Sequence, residues 1–208
     1  IAGMAMNQVP DVLIASHRTT VEFANKDALV PLDAFLNDPT LGLRDDERAD
    51  FLPGLLDAGK FPGFKNQFLT LPFDEHAVVL YYNADALQAA KIKPPRTWDD
   101  FGQAVRVTTK SDTRGWVMSP DAAVFYALVF SRGGNVLNDT QTQVLFSETP
   151  GIQSLQLIAA LTKGDAAYLA ESPSRAIADF AQGKATFLFG TDDDLAGISD
   201  AMTKAQSN

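Results

Sequence analysis

LPFDEHAVVLYYNADALQAAKIKPPRTWDDF, residues 71–101, holds the change of periodicity on which the fold reading turns. Ala77–Tyr82 is an uninterrupted apolar run rich in Val, Leu and Tyr, the composition of a buried strand. After Asn83 the composition switches to Ala84–Ala90, which favours helix, and Lys93-Pro94-Pro95 blocks continuation. Thr97 then precedes Trp98-Asp99-Asp100. Its hydroxyl can accept from free backbone N–H groups, and the two acids favour the positive end of a helix reaching about Thr108.

Working outward toward the C-terminus, Gly115–Met118 reads as a strand and Ala122–Phe130 as a mostly buried helix stopped at Gly133-Gly134. Val136–Leu137 and Val144–Phe146 flank a polar stretch and suggest a hairpin. Helices are expected from about Gly151 to Leu161, over Ser174–Gln182 and over Leu195–Lys204, with a buried strand at Ala185–Phe189. Toward the N-terminus, Phe68–Phe73 is extended and Gly63 marks a turn. Short helical pieces with acidic punctuation fill Leu32–Leu56, and Thr19–Lys26 reads as a helix. Before it, Pro10-Asp11 introduces the β-rich run Val12–Ala15. Strands alternating with helices predict an α/β protein whose largely parallel sheets are covered on both faces.

The 208 residues, 46% of them hydrophobic, suffice for a substantial core in one or two domains. A net charge of −9 with scattered Lys and Arg opposes binding to phosphate backbones, so no nucleic-acid partner is expected. The absence of cysteine removes thiol chemistry. No apolar run approaches the roughly 20 residues that span a bilayer. Ile1–Gln8 lacks the pattern of a signal peptide. Ile1–Met6 reads as a helix end and Leu195–Lys204 as a helix without a following strand, so the chain is expected to be incomplete at both ends.

Three motifs within residues 71–101 occur in order: the LPF turn, the strand ending YYN and the PPxTW helix start. Together they resemble the extracellular solute-binding proteins, family 1, of ABC sugar transporters, in the subgroup of maltose and glycerol-3-phosphate binding proteins. The flanks agree, with PDVLIA at 10–15, LVPL at 29–32, Gly133-Gly134, and FAQGKATFLFG at 180–190. The resemblance implies a periplasmic-binding-protein-like fold of type II, with two lobes joined by a hinge. It places residues 1–82 in lobe one and 83–208 in lobe two, with Ala77–Tyr82 as the strap that absorbs small rotations. It implies a substrate-binding component that captures a sugar, polyol or related small solute and passes it to a membrane permease. Placement is periplasmic or extracellular, with lipid anchoring left open, and no cofactor or metal is expected.

Carrying the family's cleft positions onto this chain points to four loops: Ser16-His17-Arg18, Asp74-Glu75-His76, Ser119-Pro120-Asp121 and Gly190-Thr191-Asp192-Asp193-Asp194. Each is expected beyond a strand end, where open α/β sheets bind ligands. Charged side chains in such sites pair with hydroxyl groups. Two departures bear on the ligand. Asp193 stands where the maltose-type pattern has a stacking tryptophan, and Glu75 and His76 replace the small hydroxyl residues of the glycerophosphodiester pattern. Buried carboxylates repel an anion, so a neutral polyol or a cation fits better. Other roles stay open at this point: Ser16 serves equally as a helix cap, the three aspartates precede a helix they can cap, and residues 74–76 suit a surface loop.

Two rival functions remain. A hydrolase or metal enzyme would need clustered acids or histidines, but His17 and His76 lack ligand spacing and no nucleophile motif is present. A sensor receptor of the same architecture is not separable from a transport component by sequence.

Overall fold

The computed structural model describes residues 10–138, 140 and 142–206, so the helix end expected at Ile1–Met6 lies outside the described residues. Contacts divide the chain into two units, Ile1–Glu75 and His76–Asn208.

The first unit is built from short elements. Helix α1 (His17–Ala24) starts where Ser16 accepts from the Thr19 N–H, and the buried Thr20 hydroxyl donates to the Ser16 carbonyl at 3.1 Å. Helices α2 (Asp33–Leu36) and α3 (Asp45–Asp50) follow, the latter opened by Glu47 accepting from the Arg44 N–H at 2.9 Å. Strand β1 (Lys60–Phe61) pairs antiparallel with β2 (Gln67–Phe68). The turn between them holds Lys65 and Asn66 in the left-handed region, both at φ 58. Asp33 ties α2 to this hairpin by accepting from the Phe68 N–H at 3.0 Å.

Two extended runs differ from expectation here. Val12–Ala15 forms no strand, and Val12 and Ile14 are 86% and 76% exposed. β propensity reflects fit to a pleated, half-buried surface, and no partner strand lies beside this segment among the described residues. The Phe68–Phe73 run is strand only at its first residue, after which Leu69 and Thr70 turn their N–H groups to the Gly59 carbonyl.

The second unit carries a sheet of four strands in the order β3 (Val78–Tyr82), β6 (Ala185–Thr191), β4 (Arg114–Met118), β5 (Ala167–Leu169). β4 runs parallel to both β5 and β6, whereas β3 is antiparallel to β6 from Val78↔Thr191 to Tyr82↔Phe187. The sheet is therefore largely parallel, as expected, with β3 as one antiparallel edge strand. The strand read as the end of lobe one pairs with β6, within the contact unit that begins at His76. Asn83 instead caps helix α4 (Ala84–Ala89), accepting from the Ala86 N–H at 3.0 Å.

Helix α5 (Trp98–Thr108) opens with the expected cap: Thr97 accepts from the Asp100 N–H while Asp100 accepts from the Thr97 N–H. Helices α6 (Ala122–Phe130), α7 (Thr149–Lys163), α8 (Pro173–Ala181) and α9 (Asp194–Gln206) complete the unit. Between α6 and α7, the described residues of the expected hairpin show one bridge, Leu137↔Val144.

Alternation along the strands separates two cores. Trp116, Met118 and Phe187 pack with α5 and α7 through Val105, Phe101 and Leu161, while Val117 and Leu188 pack with Ala176, Phe180 and Ile198 of α8 and α9. Phe101 meets Trp116 and Phe187 edge to face, with centroids 5.3 and 5.4 Å apart. Gly115 lets β4 lie against α5, because a Cβ there would collide with the Val105 backbone. α6 is apolar all round but only partly buried, since Tyr126 and Phe130 face solvent.

Candidate functional site

The topology decides which candidate residues meet. β4 and β6 are parallel, so their carboxyl ends share one edge of the sheet, and antiparallel β3 begins at that same edge. His76, Ser119-Pro120-Asp121 and Gly190–Asp194 thus gather along the carboxyl edge of the second unit. This is where an α/β sheet offers ligands free backbone ends and helix N-termini.

Much of the last loop is occupied with holding itself. Asp192 accepts from the Ala77 N–H at 3.1 Å and lies 3.3 Å from His76 Nδ1, while its own N–H donates to the Ala77 carbonyl at 3.1 Å. It therefore clips the start of β3 to the end of β6. Asp194 accepts from the Thr191 N–H at 2.8 Å and the Thr191 hydroxyl at 3.2 Å. Gly190 passes so close that a Cβ would meet the Asp194 carboxylate. Tyr81 donates its hydroxyl to the Thr191 carbonyl at 2.6 Å, and burial, then the charges of Asp194, Asp192 and Asp193, push this phenol above its ordinary pKa. Asp193 is exposed, and no hydrogen bond holds its carboxylate among the described residues.

Asp121 caps α6 by accepting from the Ala123 N–H at 2.8 Å. Ser119, half-buried, precedes it at the end of β4. Beneath these two lies a cavity of about 340 Å³, with Trp116 and Met118 on the sheet, Val124 and Leu128 on α6, and Ile158 on α7. The indole N–H of Trp116 is buried without a partner among the described residues.

In the first unit, the bland role of each residue is filled. Ser16 is the α1 cap, His17 stacks on buried Phe61 with centroids 4.3 Å apart and planes 16° apart, and Arg18 pairs with Glu22 at 3.2 Å. The loop 16–18 follows no strand, and Asp74-Glu75-His76 precedes β3 rather than ending a strand. Asp74 and Glu75 are exposed and belong to the first unit. Sequence reasoning missed Tyr81, whose inward position follows from alternation along β3, and Trp116, whose unsatisfied N–H has no sequence signal. Among the described residues, no three His, Cys, Asp or Glu side chains are placed to share a metal ion. No helix of the described residues is long and apolar enough to cross a membrane.

Comparison with known proteins adds three kinds of likeness. A family model described as bacterial extracellular solute-binding protein matches residues 2–207. The chain is 24% identical over 182 residues to the sn-glycerol-3-phosphate-binding periplasmic protein UgpB of Salmonella typhimurium, covering 81% of this chain and 40% of that protein. In structure it is similar to a putative oligosaccharide periplasmic-binding protein from Synechococcus sp. MITs9220, with a TM-score of 0.78 and 19% identity over 99% of this chain and 51% of that one. It is also similar to the GacH receptor of Streptomyces glaucescens, solved unliganded and with acarbose, with a TM-score of 0.76 and 19% identity over 99% of this chain and 52% of that one. The fold is that of the type II periplasmic binding proteins, and the chain spans about half the length of these structures.

Proposed function

The chain belongs to the bacterial extracellular solute-binding protein family, and from that premise we propose that it is part of the substrate-binding component of an ABC transporter. It works outside the cytoplasmic membrane, captures a small neutral or cationic solute, with sugars and polyols the first class, and delivers it to a membrane permease. The observation that carries this reading is the convergence of His76, Ser119, Asp121, Thr191 and Asp193 on one sheet edge.

Of the groups on this edge, Asp193 and the second oxygen of Asp121 are free to accept from ligand hydroxyls or a cation, while Asp192 and Asp194 are held by the backbone. Three clustered carboxylates disfavour an anion, because the nearby negative charges would have to be neutralised on binding. In the first unit, Arg18, Asp74 and Glu75 remain proposed contacts, with Ser16 and His17 as support. Carboxylates here act as acceptors, and we infer no chemical turnover of the solute.

A thermal-shift screen of the full-length protein against mono- and oligosaccharides, polyols and small cations tests this, since a ligand of the folded state raises the melting temperature. One class should give a saturable shift and be recovered intact by mass spectrometry. Cleaved products would overturn the binding-only reading, and a preference for sugar phosphates would overturn the charge argument.

A further inference from the structure

We propose that His76 and Asp192 form a pH-sensitive clip at the start of β3, which grips the strand more firmly as the surroundings turn mildly acidic. His76 is the first residue of the second unit, and Val78 opens the ladder with β6 two positions later. The backbone between them is tied at Ala77, whose N–H donates to the Asp192 carboxylate at 3.1 Å and whose carbonyl accepts from the Asp192 N–H at 3.1 Å. The imidazole reaches the same carboxylate oxygen, with Nδ1 3.3 Å from Oδ1. An ionised carboxylate can only accept, so the ring meets it through Nδ1–H. A neutral imidazole supplies an ordinary hydrogen bond there. Protonation of Nε2 makes the bond charge-assisted and stronger.

The surroundings make this ring the responsive group. Residues 66–90, which contain β3, and residues 185–203, which contain β6 and most of α9, hold no Lys or Arg, and His76 is their one basic side chain. Against it stand Asp192 in contact, Asp193 next in the loop, Asp194 at the start of α9, and Asp74 and Glu75 just before it in the chain. Tyr81, on the same strand, has its phenol pushed up by burial first and then by Asp194, Asp192 and Asp193, and stays neutral. Helix α6, which also packs on β3, carries no charged residue from Ala122 to Phe130, with Asp121 ahead of it. The other histidine, His17, belongs to the first unit. Carboxylates ordinarily titrate near pH 4 and imidazole near about pH 6.5, so between about pH 8 and 5.5 the ring is the group that changes charge. The closed clip prefers the protonated ring, so by linkage its strength is complete at the acid end of this window and declines as pH rises through it. Both side chains are partly exposed, at 37% and 55%, and solvent screening limits the gain to about two- to fivefold in the closing equilibrium.

Amide hydrogen exchange of the full-length protein, followed by NMR from about pH 8 to 5.5 with no solute present, tests this. Rates at Ala77 and Asp192 are compared with those in unstructured peptides of the same stretches, which removes the intrinsic effects of pH and of a neighbouring imidazole. Protection at both amides should rise about two- to fivefold toward pH 5.5 in the wild type and stay level in His76→Gln and in Asp192→Asn, the latter keeping an acceptor oxygen for the Ala77 N–H. His76→Asn takes the place of His76→Gln if that variant does not fold. Val79, deeper in the ladder, should change little and reports that the strand is intact. A level wild-type profile overturns the clip, as does a rise that survives in either variant, an equal rise at Val79, or exchange at both amides too fast to follow at every pH. Because no solute takes part, these outcomes judge the clip alone and leave the binding reading to its own thermal-shift test.

Discussion

Replacing Asp179 by Asn should remove a large share of the stability of the second unit. Asp179 sits on α8 at 4% exposure and accepts from Arg175 Nε at 3.0 Å, Tyr168 Oη at 3.0 Å and Lys184 Nζ at 3.3 Å. Burial alone would raise its pKa, but the bonds from Arg175, Tyr168 and Lys184 outweigh burial and hold it below the ordinary value. Hydrogen bonds to a charged group contribute about 1.5–3 kcal/mol each. Arg175 and Lys184 are about half exposed, so solvent screening leaves their bonds weak. Tyr168, more deeply placed, supplies the rest. An amide retains one acceptor oxygen, and the expected loss is about 2–3 kcal/mol. At about 2–4 °C per kcal/mol for a chain of this size, the midpoint falls by about 5–10 °C. A folded pKa lower than the unfolded value gives stability that is complete above about pH 3.8 and is lost as pH falls through the folded value. The gap between wild type and Asp179→Asn in urea unfolding should thus be constant from pH 7 to about pH 4 and shrink below it. A gap under about 0.5 kcal/mol at pH 7, or one that persists unchanged at pH 2.5, would refute the argument.

Substitutions at four further positions separate structural from ligand roles. Gly115→Ala should cost about 3 kcal/mol in urea unfolding, because its Cβ is driven into the Val105 backbone and α5 must retreat. Thr97→Ala should cost about 1 kcal/mol by losing the α5 cap, with Thr97→Ser restoring most of it. Asp192→Ala should destabilise by about 1–2 kcal/mol through its bond to Ala77, whereas Asp193→Ala should change stability by less than about 0.5 kcal/mol and weaken solute binding in calorimetry. Unchanged affinity for Asp193→Ala would remove that residue from the site.

Local signals made several elements legible in the sequence. Ala122–Phe130 has the expected bounds because Asp121 caps one end and Gly133, at φ 74, turns the other. Thr97 and Asp100 mark α5 in the same way. Elements that depend on distant pairing were not legible. Ala167–Leu169 is too short for periodicity and becomes a strand only by lying beside β4. Val78–Tyr82 was recognised as a strand, but its assignment to the second unit rests on β6, more than 100 residues away. In the site, the carboxyl-edge position of residues 119–121 and 190–194 was readable from strand ends. The division of labour among three successive aspartates was not. It depends on which backbone N–H each side chain meets, and only Asp193 meets none.

The antiparallel register of β3 has a consequence for solvent exchange. Ala77 accepts from the Asp192 N–H and Asn83 donates to the Thr186 carbonyl, so odd-numbered residues along the strand turn their polar groups toward β6. The N–H groups of Val78, Leu80 and Tyr82 therefore face away, along an edge unpaired by any strand among the described residues. In deuterated water the strand should read as a two-beat pattern, slow at Val79 and Tyr81 and fast at Val78, Leu80 and Tyr82. Any chain that came to lie along that edge would erase the beat and make all five positions slow, giving a backbone signature of edge pairing that needs no knowledge of the solute.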